Sequence, residues 1–249
     1  MQADFVIRRL SHAAPLLEDE QRAVRDLCEN VNAFVKHRDI HGPKDCAGNT
    51  FVMLEGWAAR YCLLPSGERR ILGFLLPGDF CDLDLAVATP LDHAVASITD
   101  CAIARMSKAR AEAVFQSTAS LKRAWGHCVR LEHVYLRQWL TSAGRRSARE
   151  ALAHLLCELS VRLEQVGLAA DNAFRLPTSQ LDLADALGMT PVHVNRVLRA
   201  MRNEGLITKR QGIQVMDWPA MRRIAGFHAQ EVTSDDAHPI GVTREQAFA

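Results

Sequence analysis

Apolar side chains in the last third of the chain repeat at the spacing of two short consecutive helices. In the second helix they recur at i, i+3, i+4 and i+7, at the positions Val194, Val197, Leu198 and Met201. Such a stripe is typical of an amphipathic helix with one buried face. Thr190 fits the N-cap, Pro191 the first helical position and Gly205 the end of the helix. The pattern therefore predicts a helix between Thr190 and Gly205.

The opposite face of this helix carries side chains that suit a DNA groove. They are Val192, His193, Asn195, Arg196, Arg199 and Arg202. Together they can meet base edges, thymine methyl groups and phosphate oxygens. The whole chain has a formal net charge of only +1, but its stretch 188–223 holds seven Lys and Arg residues against two acidic ones. Basic charge is thus concentrated where a nucleic acid would bind.

A shorter helix, a tight corner and a hairpin surround this second helix. The shorter helix opens at Thr178 or Ser179, with Asp182 as a loose capping-box partner of Ser179, and Gly188 permits a left-handed backbone at the corner. A basic hairpin is expected from the segments 206–209, 210–212 and 213–216. The order of these parts predicts a winged helix-turn-helix. The alternative is an amphipathic helical hairpin whose arginines are merely solvated.

The segment from Gln180 to Ile207 resembles the DNA-binding domain of the CRP/FNR family of bacterial transcription regulators. The matching residues run QLDLADALGMTPVHVNRVLR and continue to Leu206-Ile207. The resemblance implies an α+β fold with an N-terminal antiparallel jelly-roll sensor barrel, a long dimerisation helix and a C-terminal winged helix-turn-helix domain. The expected division is a barrel over 1–115, the dimerisation helix over 116–143, the DNA-binding domain over 144–228 and a mobile tail over 229–249.

Short apolar runs before residue 106 support the barrel. They are 51–54, 58–64 and 71–76, and they are separated by Gly56, by Gly67 and by the turn Pro77-Gly78-Asp79. Strand-length runs at regular spacing indicate an antiparallel barrel or sandwich.

A long helical repeat follows the barrel. Its apolar positions recur at three and four residues, and they include Leu121, Trp125, Cys128, Leu131 and Tyr135. We predict that this seam pairs with the same helix of a second copy; the alternative is a helix packed along its own barrel. Residues 142–147 are expected to form a hinge. The next helix turns one apolar side inward, with Leu152, Leu155, Leu156, Leu159, Leu163 and Val166, and ends at Gly167.

The sensor site departs from the cyclic AMP pattern of the family. A gapless count places Asp82 and Leu83 where the family's Gly-Glu pair binds ribose, and His93 where its Arg binds the cyclic phosphate. A histidine among aspartates is a poor anion site. We therefore expect Asp82, Leu83 and His93 to line an effector pocket that does not bind cyclic AMP in the usual way. The small-molecule effector is unknown, constitutive action is possible, and a variant cyclic-nucleotide site is the alternative.

Metal, cofactor and enzyme functions are not expected. The seven cysteines are scattered with no C-x-x-C pair, unlike an iron–sulfur sensor, and His37 and His41 lie at the entry to a predicted strand. The rival hypothesis, a cupin-like jelly-roll enzyme, needs a His-x-His metal set that does not occur in the sequence. With no apolar run of membrane-spanning length and no signal peptide, a cytoplasmic protein is expected.

The resemblance also implies roles on the recognition helix. By register, the Glu, Ser and Arg that FNR-like members use fall at Val192, Asn195 and Arg196, and only the Arg matches. Arg196 is assigned to a guanine and Val192 to a thymine methyl, with Asn195 and His193 as further base contacts. The phosphate contacts are assigned to Thr190, Arg199, Arg202, Lys209 and Arg210. The expected partners are double-stranded DNA and a second copy of the chain, with RNA polymerase as a further candidate.

Overall fold

A computed structural model describes residues 3–42, 48–86, 92–170, 173–208 and 213–228. The helices are α1 (Asp4–Ser11), α2 (Glu18–Leu27), α3 (Lys108–Phe115), α4 (Ala119–Gly144), α5 (Ala148–Gln165), α6 (Gln180–Leu187), α7 (Pro191–Asn203) and α8 (Trp218–Ala225). The strands are β1 (Val31–Phe34), β2 (Asp39–His41), β3 (Asn49–Glu55), β4 (Ala58–Leu63), β5 (Arg69–Leu75), β6 (Ala94–Ser97), β7 (Cys101–Ser107), β8 (Ala173–Phe174), β9 (Ile207–Thr208) and β10 (Ile213–Val215).

Two antiparallel sheets form the N-terminal barrel. Their strand orders are β1-β7-β3 and β2-β6-β4-β5. Side chains from both sheets fill the space between them, among them Phe51, Met53, Val95 and Ile103, which are all buried. The predicted runs 51–54, 58–64 and 71–76 fall on β3, β4 and β5, so the expected antiparallel fold class is confirmed.

Two helices precede the barrel, and the sequence patterns did not predict them. In α1, Val6 and Leu10 are fully buried against the barrel and α4. The helix approaches the turn after β5 so closely that a Cβ on Gly78, whose φ is +91°, would lie 2.8 Å from the carbonyl oxygen of Phe5. A glycine is therefore needed at this turn for both its backbone conformation and its lack of a side chain.

The face of α4 that was predicted to be the dimer seam packs within its own chain. Leu121, Trp125 and Leu131 are 1%, 8% and 4% exposed. The Trp125 ring stacks on Phe115 with centroids 4.3 Å apart and meets Phe80 edge-on at 4.9 Å. Cys128 and Tyr135, which complete the predicted seam, are half-buried beside the barrel. Leu121, Trp125 and Leu131 are therefore covered within their own chain. The assignment of all five residues to a partner helix stays a prediction.

The predicted hinge is shorter than expected. Helix α4 continues through Ser142 and Ala143 and ends at Gly144, and α5 begins after Ser147. The Ser147 hydroxyl accepts a hydrogen bond from the Glu150 amide, and the Glu150 carboxylate accepts one from the Ser147 amide, so the predicted capping box is confirmed. The link between the two helices is therefore 145–147.

Helix α5 is buried on all sides. The predicted apolar side is buried, but so is every other residue over 151–163. The reason is that the barrel covers one side of α5 and the helix-turn-helix covers the other. Phe74 of β5 belongs to the same buried cluster as Leu156 of α5 and Met201 of α7. The barrel and the helix-turn-helix thus share one continuous core.

The winged helix-turn-helix has the predicted order of elements. Ser179 caps α6 and forms a capping box with Asp182, and Gly188 adopts the left-handed conformation at φ +66°. Thr190 and Pro191 begin α7 as predicted. Strands β9 and β10 pair as the base of the wing, and β8 pairs with the other edge of β10. The sequence patterns did not predict β8, which is only two residues long.

The inward packing of Trp125 yields a stability prediction. Trp125→Ala should lower the free energy of unfolding by about 3–5 kcal/mol, because it removes a stacked aromatic and leaves a cavity. Chemical denaturation at a fixed protein concentration measures the loss. The control is Leu17→Ala, at a side chain 72% exposed, which should change the free energy by about 0.5 kcal/mol or less. Equal small effects of both substitutions would show that Trp125 is not part of the core.

Candidate DNA-binding surface and effector cavity

Helix α7 has one buried and one exposed face. Val194 and Met201 are fully buried, whereas Val192 is 80% exposed. The Thr190 hydroxyl oxygen accepts a hydrogen bond from the His193 amide at 3.2 Å and so caps the helix. Its backbone is thereby fixed at the end from which base contacts are made in helix-turn-helix proteins.

The described residues assigned to DNA lie together on one side of α7 or at its start. Asn195, Arg196 and Arg199 are exposed, and His193 and Arg202 are half-buried. None of the described residues hydrogen-bonds to the side chain of Arg196 or Arg199. Thr190 lies at the N-terminus of the same helix. Lys209 and Arg210 lie outside the described residues. The geometry is that of a basic, solvent-facing helix held from behind by its apolar stripe.

The barrel holds the helix-turn-helix through the hairpin of β4 and β5. Arg69 of β5 donates from Nε to Asp185 at 2.7 Å and from Nη2 to Asp182 at 2.6 Å. Arg70 lies against the corner, where a Cβ on Gly188 would be 2.6 Å from its Nη1 atom. Two adjacent arginines in an apolar strand pattern were the only sequence signal for this contact, and they do not reveal the partner.

A narrow cavity lies between the barrel turn 78–83, α1, α4 and α5. Of the three residues predicted for the effector pocket, Leu83 lines it. Asp82 instead forms an ion pair with the buried Lys108 at 2.5 Å, and His93 pairs through Nδ1 with Asp92 at 2.8 Å. The cavity has a volume of about 30 Å³, which is room for about two water molecules.

A buried network of ion pairs occupies the space beside this cavity. Asp79 accepts hydrogen bonds from Arg9 Nη2 at 2.7 Å and from Arg162 Nη2 at 2.5 Å. Arg162 also donates from Nη1 to Glu158 at 2.8 Å, and Glu158 accepts from Trp139 Nε1 at 3.0 Å. The network joins α1, the barrel turn, α4 and α5, and sequence reasoning found only Asp79, as part of a turn.

Burial and charge act in opposite directions on the two carboxylates of this network. Burial raises the pKa of Asp79, but Arg162 and Arg9 outweigh that effect and hold the pKa below its usual value. Burial also raises the pKa of Glu158, and there the interaction with Arg162 does not outweigh it. Asp79 is therefore the firmly ionised anchor of the network.

Two regions of the chain match known domain families. Residues 33–118 match the cyclic nucleotide-binding domain, and residues 150–224 match the Crp-like helix-turn-helix domain. The nitrogen fixation regulation protein FixK of Bradyrhizobium diazoefficiens is 30% identical over 217 residues, which cover 86% of this chain and 90% of the relative. The chain belongs to the CRP/FNR family of transcription regulators.

Other members of the family agree in sequence or in fold. The transcriptional activator protein FnrL of Cereibacter sphaeroides is 29% identical over 147 residues, 58% of each chain. The solved structure of FixK2 from Bradyrhizobium japonicum superposes with a TM-score of 0.67 at 22% identity, covering 80% of this chain and 98% of that one. This second likeness concerns the fold.

The cysteines of this CRP/FNR regulator are mostly small core residues. Burial raises the pKa of Cys28, Cys81, Cys128 and Cys157 to about 12 and that of Cys101 to about 11. These five side chains are therefore thiols, not nucleophilic thiolates, at neutral pH. Cys46 lies outside the described residues. Within the described ranges, no three His, Cys, Asp or Glu side chains are grouped as metal ligands, and no helix is long and apolar enough to cross a membrane.

A buried histidine on α5 yields a pH prediction for the regulator. His154 is 4% exposed and packs edge-on against Phe227 at 5.3 Å. Burial, with a smaller effect of Arg146, lowers its pKa from 6.5 to about 3. Between those two values the unfolded chain binds a proton that the folded chain does not. Stability contributed by His154 is therefore complete above pH 6.5 and is lost as the pH falls toward 3.

The test compares urea unfolding of the protein with that of His154→Gln at several pH values below 7. Relative to the variant, the free energy of unfolding should fall by about 1.4 kcal/mol per pH unit below the ordinary histidine pKa. Parallel pH profiles for the two proteins would contradict the neutral, buried state of His154.

Proposed function

We propose that this CRP/FNR regulator binds an inverted-repeat operator as a homodimer and does not need cyclic AMP for it. The observation that carries the DNA-binding part is the exposed basic face of α7, fixed from behind by Val194 and Met201. In this proposal the sensor domain is 1–115, the helix 116–143 mediates dimerisation, and 144–228 binds DNA. The tail 229–249 lies outside the described residues.

The proposed base contacts come from the exposed side of α7. Arg196 donates two hydrogen bonds to a guanine, Val192 touches a thymine methyl, and Asn195 and His193 contact neighbouring base edges. Phosphate contacts are proposed for Thr190, Arg199, Arg202, Lys209 and Arg210. Because Val192 cannot accept a hydrogen bond from cytosine, the operator letters should differ from those of members that carry Glu at this position.

The exposed side of α4 supports dimerisation through a seam different from the one the sequence predicted. Its members are spaced alternately by three and four residues, and they are Gly126, Val129, His133, Leu136, Leu140 and Ala143. All are exposed except Val129, which is half-buried. Leu136 and Leu140 are 50% and 74% exposed in the single chain. Leucines at coiled-coil spacing are normally covered by a partner helix, so their exposure favours pairing with a second chain. A Cβ on Gly126 would meet nothing within 4 Å. The seam can therefore take a second helix without rearrangement of the chain.

The size and the charges of the cavity support the proposal that cyclic AMP does not bind in the usual way. It is too small for a nucleotide, and its two cationic side chains, Arg9 and Arg162, are already paired with Asp79. A cyclic phosphate would have to displace that carboxylate. No cofactor is invoked, and any small-molecule effector is of another chemical class.

The cellular setting of the proposal follows from DNA binding. The protein would act in the cytoplasm, where its operator is, and would contact RNA polymerase if it activates transcription. The relative FnrL is named a transcriptional activator, which supports activation as the first hypothesis to test.

The proposal is tested by selecting bound sequences from random duplexes with the purified protein and no added ligand. Recovery of an inverted repeat with half-sites about one helical turn apart is the expected result. Isothermal titration with cyclic AMP and cyclic GMP accompanies it, and micromolar binding of either would overturn the reading of the cavity. Recovery of no sequence above background, with folded protein, would count against ligand-independent operator binding.

Two arginines on the same helix should behave differently on the selected operator. Arg196→Ala should lose about 1–3 kcal/mol of discrimination at one guanine, because only a base contact carries sequence information. Arg199→Ala, the matched control, should weaken all duplexes alike and reduce the salt dependence of binding. Fluorescence anisotropy on the operator and on single-base variants measures both. An unchanged base preference for Arg196→Ala would show that the proposed register of α7 in the groove is wrong.

The exposed leucines of α4 should control the oligomeric state. Leu136→Glu together with Leu140→Glu should convert the dimer into a monomer, because each dimer would place the carboxylates of both chains at an apolar seam. Sedimentation equilibrium measures the change, and circular dichroism checks the fold. Leu181→Glu, at a leucine of α6 that is 56% exposed, is the control and should stay dimeric. A dimer that survives the double substitution would place the interface elsewhere.

A further inference from the structure

The guanidinium of Arg162, a residue of the DNA-binding domain, reaches into the cavity between the barrel turn 78–83 and α4. Arg162 lies on α5, inside the matched helix-turn-helix domain of 150–224. Its side chain is 6% exposed and lines the cavity together with Tyr135, Leu83 and the barrel turn. A residue of the output domain thus lines a cavity between the barrel and α4 that shares Leu83, but not Asp82 or His93, with the effector pocket predicted from the sequence.

The acceptors of Arg162 come from two separate parts of the molecule. Its Nη2 atom donates to the carbonyl of Phe74 at 2.8 Å and to the Asp79 carboxylate at 2.5 Å, both in the barrel. Its Nη1 atom donates to Glu158 on α5 at 2.8 Å. The guanidinium carbon Cζ also lies over the ring of Tyr135 on α4, 4.7 Å from its centre. A planar, always charged group with donors in fixed directions is needed to satisfy these partners together.

Only while Arg162 is present does each acidic group in this buried network have a cationic partner. Arg9 and Arg162 oppose Asp79 and Glu158, and all four groups are largely removed from water. Without Arg162, Asp79 would keep only Arg9 as a cationic partner, and Glu158 would keep only the Trp139 indole. A buried carboxyl group that loses its cation is strongly unfavourable. The arrangement of α5 against the barrel therefore depends on a cation at this point.

We propose that Arg162 acts as a built-in effector: it fills the sensor cavity and fixes the DNA-binding domain on the barrel, so that both recognition helices of a dimer are placed for an inverted repeat without a diffusible ligand. Arg162 is a positioning residue in this proposal, since it lies on α5 and not on α7. The inference rests on the proposed binding of the homodimer to its operator. It adds a reason why this binding needs no ligand.

The experiment compares the protein with Arg162→Ala on two duplexes, the selected inverted repeat and a single half-site. A half-site needs only one folded helix-turn-helix, whereas the repeat needs both held at the correct spacing. The variant should bind the repeat at least about tenfold more weakly and the half-site unchanged. Millimolar ethylguanidinium should restore binding to the repeat, and ethylammonium at the same concentration, the matched control cation, should not.

Three results would overturn the inference. They are equal affinity of Arg162→Ala and the unsubstituted protein for the repeat, an equal loss on both duplexes, or equal effects of the two added cations. If Arg162→Ala does not fold, Arg162→Lys replaces it. Lys keeps the charge but lacks the fork and the stacking surface, so it should show the selective loss on the repeat, and full affinity would overturn the inference. Failure of the unsubstituted protein to prefer the repeat would instead remove the proposed function itself.

Discussion

The carboxylate of Asp79 is the point on which the arrangement of this molecule depends. It sits at the turn after β5 with a side chain only 14% exposed, and it is ionised because Arg162 and Arg9 each donate to one of its oxygens. Burying such a charge without partners costs several kcal/mol. The turn is therefore stable only when α1 brings Arg9 and α5 brings Arg162 to the same place.

This requirement explains why barrel and DNA-binding domain are packed and not merely linked. Once α5 is fixed at Asp79, its apolar residues complete a core that extends from Phe74 in β5 to Met201 under the recognition helix. The hairpin of β4 and β5 then reaches α6, where Arg69 binds Asp182 and Asp185. The orientation of α7 is thus a property of the whole chain, because the barrel is physically linked to the helix-turn-helix.

The recognition helix was predictable from sequence because its determinants are local. Thr190, Pro191 and Gly205 mark its ends, and the i, i+3, i+4 spacing of Val194, Val197 and Leu198 marks its buried face. Such signals act within a few residues and need no knowledge of the rest of the fold.

The long helix shows what periodicity leaves undetermined. The apolar spacing around Trp125 correctly indicated a buried face of α4, but not whether the barrel or a second chain covers it. The apolar spacing of α5 predicted only one buried side, whereas the charged side chains of Glu158 and Arg162 are buried as well and pair with each other. Contacts between residues more than 80 positions apart, such as Asp79 with Arg162, leave no local pattern.

Native-state hydrogen exchange of the protein without ligand or DNA tests most directly whether the two domains unfold as one unit. If the shared core and the Asp79 network unite the two domains, amides of α5 should exchange only through global unfolding, with the same free energy and denaturant dependence as amides of β3 and β7. Exchange of α5 and α7 through a separate opening of lower free energy, while the barrel strands stay protected, would contradict it.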